Sequence, residues 1–242
     1  MVPVSSSAQL TLLPWLLGAE PAGDRTALAA GLHAGSCAGI ALALRNDLPD
    51  RRTTGLVLAA TVPAGLAGLL AGDVVERRLG RPGPTAALLA VAGLALWAAD
   101  RRPCDRGQVG AGEALVAGLA QVAALAPGVS RSGATLTALR LLRVEPVAAT
   151  RFSMLMSLPV TAGAAGLTLL RTRPTRELAT GVPVAAVSSF AAARAVLRPG
   201  FRTAGPAAAY RLVVASAVYG RLRHDTARHR NAAARPRIKE SR

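Results

Sequence analysis

Ala111-Gly112-Glu113-Ala114-Leu115-Val116-Ala117-Gly118-Leu119-Ala120-Gln121-Val122-Ala123-Ala124-Leu125-Ala126 runs apolar for most of its length and then stops at Pro127-Gly128. The residues that follow, Val129-Ser130-Arg131-Ser132-Gly133-Ala134-Thr135, are polar until apolar character resumes at Leu136. Proline removes a backbone donor and clashes with the preceding turn, so one half-helix ends here, and serines cap the next. A transmembrane helix needs about 20 apolar residues, and this segment breaks short of that. It reads as a broken or re-entrant helix pair. Non-helical backbone at membrane depth survives only where protein covers it or a wet cavity receives it.

The rest of the chain supports a membrane setting. Of 242 residues, 51% are hydrophobic and 17% charged, against about a quarter charged in soluble domains; mean hydropathy is +0.35. A disordered chain and a disulfide-rich miniprotein are both excluded. Apolar runs occupy Ala27 to Leu44, Gly55 to Ala71, Thr85 to Ala99, Ala148 to Leu170, Leu178 to Leu197 and Ala204 to Gly220. Their many small residues suit close helix packing in lipid. The 29 Lys and Arg against 13 Asp and Glu give a charge of +16, but the bases sit in loops and a tail. With 3% aromatics, the stacking platforms of nucleic-acid binders are missing, so anionic lipid head groups are the expected partners and nucleic acid is not. The loop arginines are diluted by acids and fix no orientation. Cys37 and Cys104 match neither a disulfide nor a metal spacing.

Val4-Ser5-Ser6-Ser7 echoes Val129-Ser130-Arg131-Ser132, each closely preceded by proline (Pro3, Pro127) and followed by a Leu-Thr pair (Leu10-Thr11, Leu136-Thr137). Interrupted apolar segments at corresponding places of two halves point to a midplane site in an inverted-repeat membrane fold. The expected architecture is therefore all-α and polytopic, with two inverted repeats, each carrying a broken or re-entrant helix pair. Residues 1–220 form one membrane domain, with the first repeat spanning roughly 1–100 and the second roughly 111–220. Residues 221–242 follow as a basic tail expected to be disordered. Only Met1 and Val2 precede Pro3, so the first copy lacks a leading half-helix, and a mis-set start or a truncated gene is the expectation.

A helix beginning near Ser130 presents free N–H groups and a positive dipole end, which favour an anion. Arg131 adds a planar fork suited to phosphate oxygens, and Ser130, Ser132 and Thr135 add hydroxyls. The combination points to phosphate or diphosphate.

The stretch Ala120 to Thr135, containing PGxSRSGxT, resembles the signature of bacterial undecaprenyl-diphosphatases, the bacitracin-resistance BacA/UppP family. Ala149-Thr150-Arg151-Phe152-Ser153, Ser157-Leu158-Pro159, Ala209-Tyr210-Arg211-Leu212 and Pro3-Val4-Ser5-Ser6-Ser7 extend the likeness over nearly the whole chain. The resemblance implies a multi-pass hydrolase of the bacterial cell membrane. It would remove the terminal phosphate of undecaprenyl diphosphate, recycling the lipid carrier of cell-wall synthesis, with a divalent cation, Mg²⁺ or Ca²⁺, as cofactor. Carried over, Ser6 is the candidate nucleophile or phosphate ligand and Arg131 the catalytic clamp. Ser5, Ser7, Gln9, Gln121, Ser130, Ser132 and Thr135 are substrate-binding candidates, and a homodimer is a further expectation.

Two departures matter. The family's acidic ExxxE motif precedes its Pro-x-Ser-Ser segment, and here nothing stands before Met1, so no metal ligands are identified. The family histidine after the serines is Gln9, which cannot shuttle a proton. Glu113 and Glu20 do not substitute. A lipid-phosphate or small-anion transporter, or an inactive diphosphate-binding relative, is the alternative. His33 reads as a packed intramembrane histidine and Arg151 and Arg211 as snorkelling bases, though the resemblance also allows Arg151 and Arg211 a place near the site. Trp15 and Trp97 read as an interface belt.

Overall fold

In the computed structural model the described residues are 3–19, 25–169, 176–198, 200 and 204–233. Among them are nine helices and no strand: α1 Ser6–Leu17, α2 Arg25–Leu44, α3 Arg51–Leu79, α4 Pro82–Asp100, α5 Ala111–Ala123, α6 Arg131–Leu141, α7 Pro146–Leu169, α8 Arg176–Val196 and α9 Ala204–Ala233. The all-α expectation holds, and each of the six apolar runs falls within a helix as far as it is described, save Leu197, one residue past the end of α8.

Local chemistry sets the helix ends. The Asp50 carboxylate accepts from the Thr53 amide at 2.8 Å and caps α3. Pro82 opens α4, where its missing N–H costs nothing. Gly18 closes α1 at φ 64, with its N–H directed to Trp15 O.

Three helical segments, Arg51–Leu79, Pro82–Asp100 and Ala179–Val196, are long and apolar enough to cross a bilayer. On α3 the exposed Leu58, Val62, Leu66, Leu69 and Leu70 recur at three- and four-residue spacing. Such a continuous outward stripe would be costly in water and is natural against lipid tails. The chain is a multi-pass membrane protein.

Inside the bundle, small residues let backbones touch. A side chain on Gly35 or Gly39 of α2 would meet Val182 O or Ala186 O of α8 at 2.3 and 2.2 Å, and one on Gly118 of α5 would meet Ala60 O of α3 at 2.4 Å. α2 also packs on α7, α4 on α9 and α6, and α5 on α6. Prolines lie inside α3, α7 and α8 (Pro63, Pro159, Pro183), in helices packed against neighbours, a setting in which membrane helices tolerate them.

α5 and α6 form a hairpin that enters and returns at one end of the bundle. At about 1.5 Å per residue, neither helix spans a bilayer core of roughly 30 Å. Their outer ends are sewn together: Asp105 N and Arg106 N donate to Arg143 O at 3.1 and 3.3 Å, and Glu145 N donates to Arg106 O at 2.9 Å. Arg140, 3% exposed, completes the joint. Its Nε donates to Asp100 Oδ1 at 3.1 Å, its Nη2 to Asp100 O at 3.1 Å and Arg102 O at 2.9 Å, and its Nη1 to Val144 O.

The tail expectation needs correction. Residues 221–233 continue α9 as helix, and residues 234–242 lie outside the described residues. Arg221 ties this stretch to α1: its Nη1 donates to Leu16 O at 2.5 Å and to Trp15 O at 2.6 Å, and its guanidinium lies over the Trp15 ring at 4.9 Å. Met1, Val2 and Glu20, on which the truncation and acid readings turned, also lie outside the described residues.

Candidate functional site

The two serine turns are built alike. Ser5 precedes α1 at φ 65 and Ser130 precedes α6 at φ 67, both left-handed and both non-glycine. In each, the first serine is buried and approaches the serine two residues on: Ser5 Oγ to Ser7 Oγ is 3.5 Å, and Ser130 Oγ to Ser132 Oγ is 3.4 Å. Ser130 Oγ also accepts from Gly133 N at 3.3 Å, a true N-cap. Ser6 and Ser7 are exposed at the mouth of α1.

The bend ahead of Ser130 requires glycine. Gly128 sits at φ +104, and a β-carbon there would lie 2.4 Å from Thr85 O of α4. This contact seats the turn against α4 inside the protein.

α9 joins the turns. Tyr210 donates its hydroxyl to Gln9 Oε1 at 2.8 Å, one turn into α1, while Gln9 Nε2 donates to Val4 O at 3.0 Å. The next residue, Arg211, reaches α6: a β-carbon on Gly133 would lie 2.6 Å from Arg211 Nη2. Consecutive residues of one helix thus touch both turns. Gln9 is fully engaged, holding the Val4 carbonyl on one side and the Tyr210 hydroxyl on the other.

The other candidates divide. Arg131 is the first residue of α6, its Nε buried without a partner among the described residues; His33 and Cys37, one turn apart on α2, lie within its electrostatic reach. Gln121 is 2% exposed, and neither amide atom has a partner there. Thr135 is committed internally: its hydroxyl contacts Arg131 O at 3.1 Å, Ser132 O at 3.2 Å and Ser153 Oγ at 2.6 Å. That makes it a joint between α6 and α7.

Arg151 lies apart from the turns, bonding Asp47 O at 2.8 Å. Of the two readings the sequence left open for Arg211, snorkelling is excluded, since it is 0% exposed, and the place near the site stands; Tyr210 was named only as part of a string. The signal available was their adjacency in the Ala209-Tyr210-Arg211-Leu212 string.

Among the described residues no three of His, Cys, Asp and Glu come together. The carboxylates of the described ion pairs belong to Asp47, Asp100, Asp105, Glu113 and Asp225, none of them on the serine turns. These residues do not fit a divalent cation held by the protein alone.

Fold and site together define an α-helical membrane protein with two alike serine turns, at the starts of α1 and α6, joined by α9. The chain matches the family described as bacitracin resistance protein BacA over residues 1–217, and it belongs to that family. It is similar to the undecaprenyl-diphosphatase of Gemmatimonas aurantiaca, 37% identical over 250 residues covering 91% of this chain and 92% of the relative. It is also similar to those of Pelobacter propionicus, 37% identical with 90% of each chain covered, and Rubrobacter xylanophilus, 40% identical with 69% and 70% covered.

Proposed function

We propose that this chain is an undecaprenyl-diphosphatase of the bacterial cell membrane, converting undecaprenyl diphosphate and water to undecaprenyl phosphate and inorganic phosphate. Membership of the BacA family supports the reading. The observation that carries it to residues is Arg131 as the first residue of α6, between Ser130 and Ser132 in the chain, with its Nε buried and without a partner among the described residues. The amides and guanidinium hold the diphosphate and stabilise charge building on its oxygens as the P–O–P bond breaks. Ser6 Oγ or water attacks the terminal phosphorus, its proton passing to a phosphate oxygen, and the bridging oxygen leaves on the lipid phosphate. On the serine route water then cleaves the phosphoserine, releasing inorganic phosphate and restoring Ser6. Gln9 orients the first turn and moves no proton. Gln121 offers a free amide toward the head group.

A divalent cation belongs to the proposal only as a companion of the substrate, whose phosphate oxygens are suitable ligands. No step is assigned to it. The test is the protein in detergent with a polyprenyl diphosphate. One phosphate released per lipid is expected, and EDTA is expected to stop the release. Binding of the diphosphate without any release, with or without cation, would replace hydrolysis by carriage. The absence of a carboxylate from the described turns is the observation that favours that second reading.

The lipid tail has a place to lie. An open groove of about 330 Å³ begins beside the turn at Val129 and Ala134 and is lined along α4, α5 and α6 by Ala92, Ala95, Ala123 and Leu141. Filling it with Ala92→Trp is expected to raise KM several-fold for a long prenyl diphosphate, with little change for a short one. Equal effects on both, measured side by side, would remove the groove from substrate binding. A homodimer, also proposed, would bury part of the outward stripe Leu58, Val62 and Leu66, where lipid is otherwise the neighbour.

A further inference from the structure

Arg211 is the largest side chain that is fully enclosed, 0% exposed, and none of Nε, Nη1 and Nη2 has a hydrogen-bond partner among the described residues. A guanidinium carries five donors and does not lose its proton, so burying it unpaired is strongly unfavourable. Its surroundings make matters worse. The head group lies against Gly133, in the first turn of α6, where the helix end is itself positive.

The path to that position is built. A β-carbon on Gly93 of α4 would lie 3.1 Å from Arg211 Cδ and 3.2 Å from its Cβ, and one on Gly133 would lie 2.6 Å from Nη2 and 3.3 Å from Nη1. Two missing side chains therefore open a slot through which the arginine stem runs from α9, past α4, to the tip of α6. In the first turn the comparable place is apolar: Ala8, three residues after Ser5 as Gly133 is after Ser130, lies in one cluster with Leu12, Ala86 and Leu89. Nothing in the packing of such a turn demands a charge.

Arg131 and Gly133 are two residues apart, so they lie roughly 200° apart around the α6 axis. Arg131 is within electrostatic reach of His33 and Cys37 of α2, and Arg211 arrives from α9 against Gly133. Two guanidinia thus flank one positive helix end from opposite directions, and only an anion between them balances the arrangement. We infer that Arg211 is the second arm of the anion clamp, selecting a diphosphate over a monophosphate by engaging the phosphoryl group that Arg131 leaves free. This inference rests on the diphosphatase reading for the identity of the head group.

The test compares wild type, Arg211→Leu and Arg211→Lys as full chains in detergent, with farnesyl diphosphate and farnesyl monophosphate as probes. Affinity for the diphosphate is expected to fall about ten- to a hundredfold in Arg211→Leu, the loss for a charged hydrogen-bonding group. Affinity for the monophosphate should change little, so the preference collapses. Thermal midpoints separate this from a structural role. Without ligand Arg211→Leu should be as stable as wild type or more so, and the upward shift that diphosphate gives the wild type should shrink.

Arg211→Lys, which keeps the charge and loses the fork, should retain part of the preference. An unchanged preference in Arg211→Leu, or in Arg211→Lys and Arg211→Gln should the leucine variant not fold, overturns the inference. So does a large fall in midpoint without ligand in all the variants. Phosphate release with unaltered KM in Arg211→Leu would leave the enzyme reading intact and remove this arm. Arg211-dependent binding without any release would keep the arm and remove the enzyme.

Discussion

Arg131→Ala is expected to all but abolish phosphate release from a polyprenyl diphosphate, a loss of about a hundred- to a thousandfold by analogy with removing a preorganised charge-stabilising donor. The physical reason lies in where the residue stands. As the first residue of α6, its guanidinium adds to the positive field of the helix end. Water is scarce there, and each electrostatic contact counts for more than at a surface. Arg131→Lys keeps charge without the planar fork and should recover only a small part of the rate. The fold should tolerate both changes, because the Arg131 side chain caps nothing and its Nε has no partner among the described residues. Turnover of Arg131→Ala at the wild-type rate, with circular dichroism unchanged, would exclude this side chain from the mechanism.

The second large effect is on stability. Arg140→Ala should destabilise the chain by about 3–5 kcal/mol, the usual cost of removing one partner of a buried charged pair. Asp100 Oδ1 and the carbonyls of Asp100, Arg102 and Val144 would all lose their donor. The residue locks the C-terminal end of α6 to that of α4, so the α5–α6 hairpin should loosen first. Protease accessibility of the segment around residues 101–109, together with the thermal midpoint in detergent, measures it. Arg140→Ala with an unaltered midpoint would show the joint to be dispensable. The contrast with Arg211 is instructive: one buried arginine has its donors matched and holds the fold, the other has none matched and waits for a ligand.

Much of this was legible in the sequence for identifiable reasons. The Pro127-Gly128 break was readable because proline and glycine act locally, and the helix indeed ends at Ala123 and restarts at Arg131. The apolar runs were readable because lipid demands length. Their ends were less so: α9 was expected to stop near Gly220 and continues to Ala233, and Arg221 in that stretch finds a carbonyl 206 residues earlier in the chain, at Trp15. The serine echo between Ser5 and Ser130 was visible as a string, while the shared left-handed backbone that makes the turns alike was not. Arg211 was left between two readings because burial of a charge depends on Gly93 and Gly133, which lie far off in sequence. Thr135 carried a hydroxyl in the right string yet spends it on Ser153.

The groove beside Val129 and Ala134 opens sideways, along the outer flank of α4, α5 and α6. A prenyl chain taking that groove, as proposed, would reach the turn from within the bilayer. Encounter then becomes a two-dimensional search, governed by lateral diffusion and by the mole fraction of substrate among the surrounding lipids, so dilution of the aqueous phase would leave the reaction's pace untouched.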